Sequence, residues 1–315
     1  MTRLARFAWL VLGWNLVVIA WGAFVRATGS GAGCGAHWPF CNGEVVPRAP
    51  AVETMIEFTH RATSGIALLL VALLALWVFR DRPRGHRARA TVAFALLFIL
   101  GEAALGAGLV LFRLVAENES VARALVMATH LVNTFLLLAS LCLTAHWIAD
   151  DAPLRREAVA RDGWVFGLCA IALLAVGKSG AIAAFGDTLY PAQSLLGGLV
   201  QDLSPTVALL VRLRVAHPFL ALLGALAVAF AAGRVLRASD DRSTRRAAWL
   251  VPALALLQVA AGLLNLVLLA PVWMQLVHLL LADLLWVAFV LLAARALALP
   301  QAAATSSEQP SPAVA

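Results

Sequence analysis

Long apolar runs separated by short polar segments dominate this chain. Eight of them, at roughly 7–25, 56–79, 91–112, 124–148, 163–185, 208–233, 247–270 and 274–297, predict helices. Each is long enough to cross a bilayer, which takes about 20 apolar residues. The first run follows Arg3 and Arg6 and so also has the outline of a signal peptide. Its length, and a later segment that repeats it, favour a true span. A β-barrel would alternate polar with apolar positions and carry aromatic girdles. These runs do not alternate, and the chain has a single Tyr.

The pattern also repeats. Gly22-Ala23-Phe24-Val25 recurs as Gly180-Ala181-Ile182-Ala183, and His60 as His217. Glu102-x3-Gly106 recurs as Gln258-x3-Gly262, and His130 as His278 behind a shorter last loop. Four spans are thus duplicated. An even number keeps both copies in the same orientation, so a pseudo-two-fold axis along the membrane normal is expected. The expected fold is an all-α integral membrane protein of eight transmembrane helices, arranged as two tandem four-helix bundles. Residues 1–150 form the first bundle and 151–298 the second. Residues 299–315, rich in Pro, Ala and Ser, read as a disordered tail.

Composition agrees with this reading. Of 315 residues 62% are hydrophobic and 13% charged, against roughly 45–50% and 25% in soluble domains. That excludes an ordinary soluble enzyme. The net charge of +7 adds topology: most Arg residues fall in alternate loops, which places both termini in the cytoplasm of a bacterial inner membrane. No basic face of the kind that binds nucleic acid stands out, so no nucleic-acid partner is expected. Membrane lipid is the surrounding solvent.

Candidate chemistry sits near the outer ends of the even-numbered spans. His60, His130, His217 and His278 lie on the second, fourth, sixth and eighth runs at a shared depth. Ionisable groups inside a membrane are costly and usually functional. Interhelical hydrogen bonding is the plainer explanation for a lone histidine, but it accounts poorly for four at matched depth. Two imidazoles per bundle suit a haem iron held from both faces. Zinc would ask for three or four convergent ligands, and no Cys-x-x-Cys-His stands in the chain for covalent haem attachment.

The two copies differ beside these histidines. Glu57 precedes His60 by three positions, whereas Arg214 precedes His217 by three, each on the histidine's helix face. Arg212 and Arg214, with Arg26 and Arg61 in the first half, are candidates for propionate contacts because Arg binds carboxylates bidentately. They are also candidates for interfacial anchors. Cys34 and Cys41 share the long first outer loop. An oxidising outer compartment predicts a disulfide there, as a structural staple or as an exchange-prone pair. Cys142 and Cys169 read as core residues.

Taken together, these motifs resemble the haem A synthase family. The resemblance rests on Gly22-Ala-Phe-Val-Arg26-Ala-Thr28-Gly-Ser30-Gly31 with Cys34, Trp38-Pro39 and Cys41. It continues in Glu57-Phe-Thr-His60-Arg61, in Ser179-Gly-Ala-Ile-Ala with Gly186-Asp-Thr-Leu-Tyr-Pro191, and in Val277-His278. It covers about 1–297. Gly35-Ala36-His37 stands where family members often have Pro-Asp after the first Cys.

The resemblance implies a membrane oxidoreductase that converts a porphyrin methyl of haem O to a formyl, making haem A for haem-copper terminal oxidases. It implies His60 and His130 as ligands of the substrate haem, and His217 and His278 as ligands of a resident haem B iron. Glu57 would be the catalytic carboxylate and Cys34–Cys41 a disulfide. Implied partners are haem O, an electron acceptor, haem O synthase and oxidase assembly factors, and a homo-oligomer is compatible with it. The alternatives are a di-haem cytochrome b-like electron carrier, which needs no Glu57, and a haem transporter.

Overall fold

The computed structural model describes residues 1–116, 118–204 and 213–298. Among the described residues the chain is all-helical, with nine α-helices and a short 3-10 turn at Ser30–Ala32. The helices are α1 (Arg3–Ala27), α2 (Val52–Asp81), α3 (Arg87–Leu111), α4 (Val121–Ala149) and α5 (Arg156–Leu189). They continue with α6 (Leu195–Leu203), α7 (Ala216–Ala238), α8 (Arg242–Val267) and α9 (Val272–Leu297). All except α6 are long and apolar enough to cross a membrane, which gives eight.

Polar side chains fix where several helices begin, by accepting backbone N–H groups that have no intrahelical partner. Thr2 Oγ1 accepts from Ala5 at 3.1 Å, Ser120 Oγ from Arg123 at 3.2 Å and Asp241 Oδ2 from Thr244 at 2.7 Å. His86 Nδ1 does the same for Ala88 at the start of α3. Two boundaries depart from the sequence expectation. Helix α5 runs on to Leu189, carrying Gly186-Asp187-Thr188 as helix rather than loop. Thr188 returns its hydroxyl to the Ala184 carbonyl at 2.9 Å and Asp187 pairs with Arg214 at 3.1 Å, so the polar residues find partners without ending the helix. Helix α6 lies in a segment read as loop, with Ser194 Oγ accepting the Gly197 N–H. The sixth span, expected over 208–233, is described from Ala216. Residues 205–212, including Arg212, and the tail 299–315 lie outside the described residues.

The spans close into two rings. In the first, α1 packs on α2, α2 on α3, α3 on α4, and α4 back on α1. In the second, α5 packs on α7, α7 on α8, α8 on α9, and α9 back on α5. The rings meet where α4 lies against α5 and α9, and α1 against α9. Helices α4 and α9 are accordingly the most enclosed spans, each with 44% of its most apolar stretch buried. At that seam the Trp286 indole stacks on Phe135, with ring centroids 5.6 Å apart, and donates to the Phe135 carbonyl at 2.6 Å. Gly177 of α5 makes room for Phe135: a Cβ there would come within 2.5 Å of its ring.

Candidate functional site

The four histidines project from the early turns of α2, α4, α7 and α9, and each faces a glycine on the preceding span. A Cβ on Gly22 would meet the His60 imidazole at 2.8 Å. One on Gly180 would meet His217 at 3.0 Å, and one on Gly262 would meet His278 at 3.0 Å. Gly106 lies against His130 more loosely, at 3.9 Å. The repeat markers Gly22/Gly180 and Gly106/Gly262 are therefore the residues that seat the imidazoles.

The histidines fall two to a ring. His217 and His278 stand edge to face, with ring centroids 6.4 Å apart. His60 and His130 stand on α2 and α4 of the first ring, against Gly22 and Gly106. Ring nitrogens remain for a ligand. His60 Nδ1 and His278 Nδ1 are buried with no hydrogen-bond partner. Among the described residues, no three His, Cys, Asp or Glu side chains converge as a metal cage. Two imidazoles per ring, backed by glycines that clear space beside them, fit a planar group carrying its own equatorial ligands.

Around the first pair the surroundings are acidic and tightly held. Glu57, one turn before His60 on α2, is 3% exposed. Its Oε1 accepts from Arg61 Nη2 at 2.5 Å and Nε at 3.1 Å, and its Oε2 accepts the Cys34 backbone N–H at 2.8 Å. Arg61 Nη1 reaches on to the carbonyls of His37 and Phe40, at 2.6 and 2.8 Å. Cys34 and Cys41 form a disulfide with both residues buried. The loop is pressed onto the start of α2, where a Cβ on Gly33 would be 2.6 Å from the Glu53–Thr54 backbone. Thr54 Oγ1 donates to the Gly33 carbonyl at 2.8 Å. The cysteine loop and the Glu57 carboxylate are thus one hydrogen-bonded unit.

The second pair has a cationic counterpart. Arg214 is 8% exposed and is paired with Asp202 through Nε and with Asp187 at 3.1 Å through Nη1. It also donates to Gln201 Oε1 at 3.1 Å. Arg26 crosses between the rings: Nη1 donates to the Ala184 carbonyl at 2.9 Å and Thr188 Oγ1 at 2.6 Å, and Nη2 to Gln275 Oε1 at 2.9 Å. The guanidiniums of Arg26, Arg61 and Arg214 are therefore all engaged with protein acceptors.

Sequence reading missed one group. Glu102 of α3, visible there only as a repeat marker, places Oε2 2.7 Å from His130 Nδ1. Its α8 counterpart, Gln258, lies 3.3 Å from His278 Nε2 through its amide nitrogen. The signal was present in the Glu102/Gln258 correspondence, but sequence separation does not show that the side chain turns toward His130.

Comparison with known proteins places these features in context. A family model described as cytochrome oxidase assembly protein, COX15-CtaA, matches residues 5–290. A relative from Thermus thermophilus named "Protoheme IX farnesyltransferase" is 52% identical over 296 residues, covering 94% of this chain and 49% of that protein. A "Heme A synthase" of Alkalihalophilus pseudofirmus is 44% identical over 97 residues, 31% of this chain and 33% of that protein. Another from Shouchella clausii is 36% identical over 142 residues, 45% of this chain and 44% of that protein. The chain spans about half the length, or less, of these relatives.

Proposed function

The chain belongs to the COX15-CtaA family of cytochrome oxidase assembly proteins, the family of the haem A synthases, and from that membership we propose that it oxidises a methyl group of haem O to the formyl of haem A. The observation that carries this reading is the asymmetry of two otherwise matched histidine pairs. A carboxylate, Glu57, stands one turn from His60, and a guanidinium, Arg214, occupies the matching place beside His217. An electron carrier with two equivalent haems has no use for that difference.

His60 and His130 hold the substrate haem in this reading, and His217 and His278 hold a resident haem B. When bound, the resident group supplies one-electron redox chemistry. Were His60 and His130 both to hold the substrate iron, no iron site would be left open and oxidation would fall on the porphyrin edge. Glu57 is the base there. Arg61 and the Cys34 N–H fix the carboxylate in one orientation, so it accepts the proton leaving the methyl carbon, or faces the positive charge that develops as electrons are withdrawn. Two oxidations follow, methyl to alcohol and alcohol to hydrated aldehyde, each adding the oxygen of one water and releasing two protons and two electrons, with the electrons passing to an external acceptor. The hydrate then loses water to give the formyl.

Arg214 binds a propionate by exchanging protein acceptors for a haem carboxylate, and Arg61 does so through Nη1 alone, releasing the His37 and Phe40 carbonyls while Nε and Nη2 stay on Glu57, with Arg26 and Arg212 as further contacts. The disulfide holds the loop that supplies the Cys34 N–H. Residues 1–150 serve as the catalytic half and 151–298 as the haem B half, in a bacterial inner membrane with both termini cytoplasmic. The substrate is supplied by a farnesyltransferase of protohaem IX. The Thermus relative that carries that name devotes 49% of its length to the match with this chain.

Expression with a source of haem O, followed by haem extraction and chromatography, tests the proposal. Wild-type protein is expected to yield haem A. Glu57→Gln, at equal protein level, is expected to retain haem and lose haem A by at least about 100-fold, the scale of general acid–base assistance. Unmodified haem B alone would mark a di-haem carrier, and unmodified haem O a transporter. Full haem A production by Glu57→Gln would refute the role of the carboxylate.

A further inference from the structure

Building on the reading of the four histidines as ligands of two haem irons, we propose that Glu102 is a positioning residue that makes His130 the stronger-donating axial ligand. It thereby holds the iron between His60 and His130 at a lower reduction potential than the iron between His217 and His278.

The geometry is specific to the first ring. Glu102 Oε2, 2.7 Å from His130 Nδ1, accepts the Nδ1–H hydrogen bond and leaves Nε2 as the ligating nitrogen. The carboxylate is itself fixed from two sides. Asn133 Nδ2 donates to its Oε1 at 2.5 Å, and Thr134 Oγ1 to its Oε2 at 3.0 Å. Asn133 also donates to the Phe98 carbonyl at 2.8 Å. It packs against Gly101, where a Cβ would lie 2.8 Å from its Oδ1.

In the second ring every part of this clamp is missing. The position of Glu102 is taken by Gln258, and those of Asn133 and Thr134 by Leu281 and Ala282. Gln258 approaches His278 through Nε2 at 3.3 Å, and Gln258 Oε1 and His278 Nδ1 are both without partners.

A carboxylate on the outer nitrogen of a ligating histidine orients the ring and raises its basicity, and a neutral amide does neither as strongly. A more basic axial ligand stabilises ferric over ferrous iron, and such outer hydrogen bonds are among the levers that set haem potentials. The side that must give up electrons therefore stands lower in potential than the side that takes them. This division of labour comes chiefly from the carboxylate-for-amide difference at Glu102 and Gln258, with Asn133 and Thr134 steadying the carboxylate in the first ring alone.

The test is a spectroelectrochemical titration of the purified, haem-loaded protein. Glu102→Gln is expected to raise one midpoint by about tenfold in the ferrous-to-ferric ratio, about 59 mV for a one-electron couple. The His217–His278 midpoint should stay in place and report that the protein is folded. Glu102→Asp, which keeps the carboxylate, should hold the first midpoint near the wild-type value. Gln258→Glu, in the other ring, should lower the second midpoint.

An unmoved first midpoint in Glu102→Gln at full haem occupancy overturns the proposal. If that variant loses its first haem, Gln258→Glu decides, and an unmoved second midpoint overturns it. A first midpoint and its low-spin signal that survive in both His60→Ala and His130→Ala would remove the ligand reading itself. That result is distinct from an intact His60-dependent haem that ignores Glu102.

Discussion

At the scale of single residues, the site is made by what is missing as much as by what is present. A Cβ on Gly22 would collide with the His60 ring at 2.8 Å, and His217 and His278 would have to give way slightly to one at 3.0 Å on Gly180 or Gly262, while Gly106 leaves 3.9 Å beside His130. Gly22→Ala is therefore expected to tilt His60 and strip haem from the first ring. Gly106→Ala should bind haem as wild type does, because a methyl group at that distance is in ordinary contact. Haem content per protein, read from the absorbance spectrum, distinguishes them, and equal losses in the two variants would contradict the geometry. The histidines themselves were legible in the sequence because an ionisable group in an apolar run stands out. Glu102 was not, because a carboxylate in α3 shows its use only once α4 is packed beside it.

At the scale of elements, the helices are set by apolar length and by their caps. Asp241 starts α8, and hydrogen bonds from the Ser243 hydroxyl and the Thr244 N–H hold its carboxyl down to about 2. A folded-state value below the ordinary carboxylate value of about 3.9 means that the unfolded chain takes up the proton first. The cap's contribution is thus complete above about pH 4 and is lost as pH falls through the folded value. Asp241→Ala is expected to destabilise the protein by about 1 kcal/mol. Thermal melts in detergent should show the same gap at pH 7 and pH 5, and a gap already closed at pH 5 would contradict the assignment. The same reasoning explains why α5 overran its expected end. Gly186, Asp187 and Thr188 read as a loop by composition, yet Thr188 bonds back to Ala184 and Asp187 is claimed by Arg214.

At the scale of the whole molecule, the two rings are joined by an apolar seam around Phe135 and Trp286 and by polar ties that include the Trp286 indole on the Phe135 carbonyl, Tyr190 on Glu119, and Arg26. The Arg26 guanidinium satisfies three acceptors on α5 and α9. Arg26→Ala leaves those acceptors without their donor, at a cost of about 1–3 kcal/mol. A lowered melting midpoint is expected, partly restored by Arg26→Lys, which keeps the charge but not the forked geometry. Melting of Arg26→Ala at the wild-type midpoint would show that the tie contributes nothing.

The eight spans, their duplication and the four histidines follow from the sequence alone, because apolar length, periodic recurrence and misplaced ionisable groups are properties of a linear string. Three things do not. The coupling of Glu57 to the Cys34 N–H joins a loop to a helix, and the commitment of Arg26 to the opposite ring joins residues more than 150 positions apart. The clamp of Asn133, Thr134 and Glu102 on His130 joins two neighbouring spans at one rotation about their axes. Each depends on which face a helix turns toward its neighbour. In a membrane that face is weakly marked in sequence, because lipid and protein interior are equally apolar, and only the packed structure decides it.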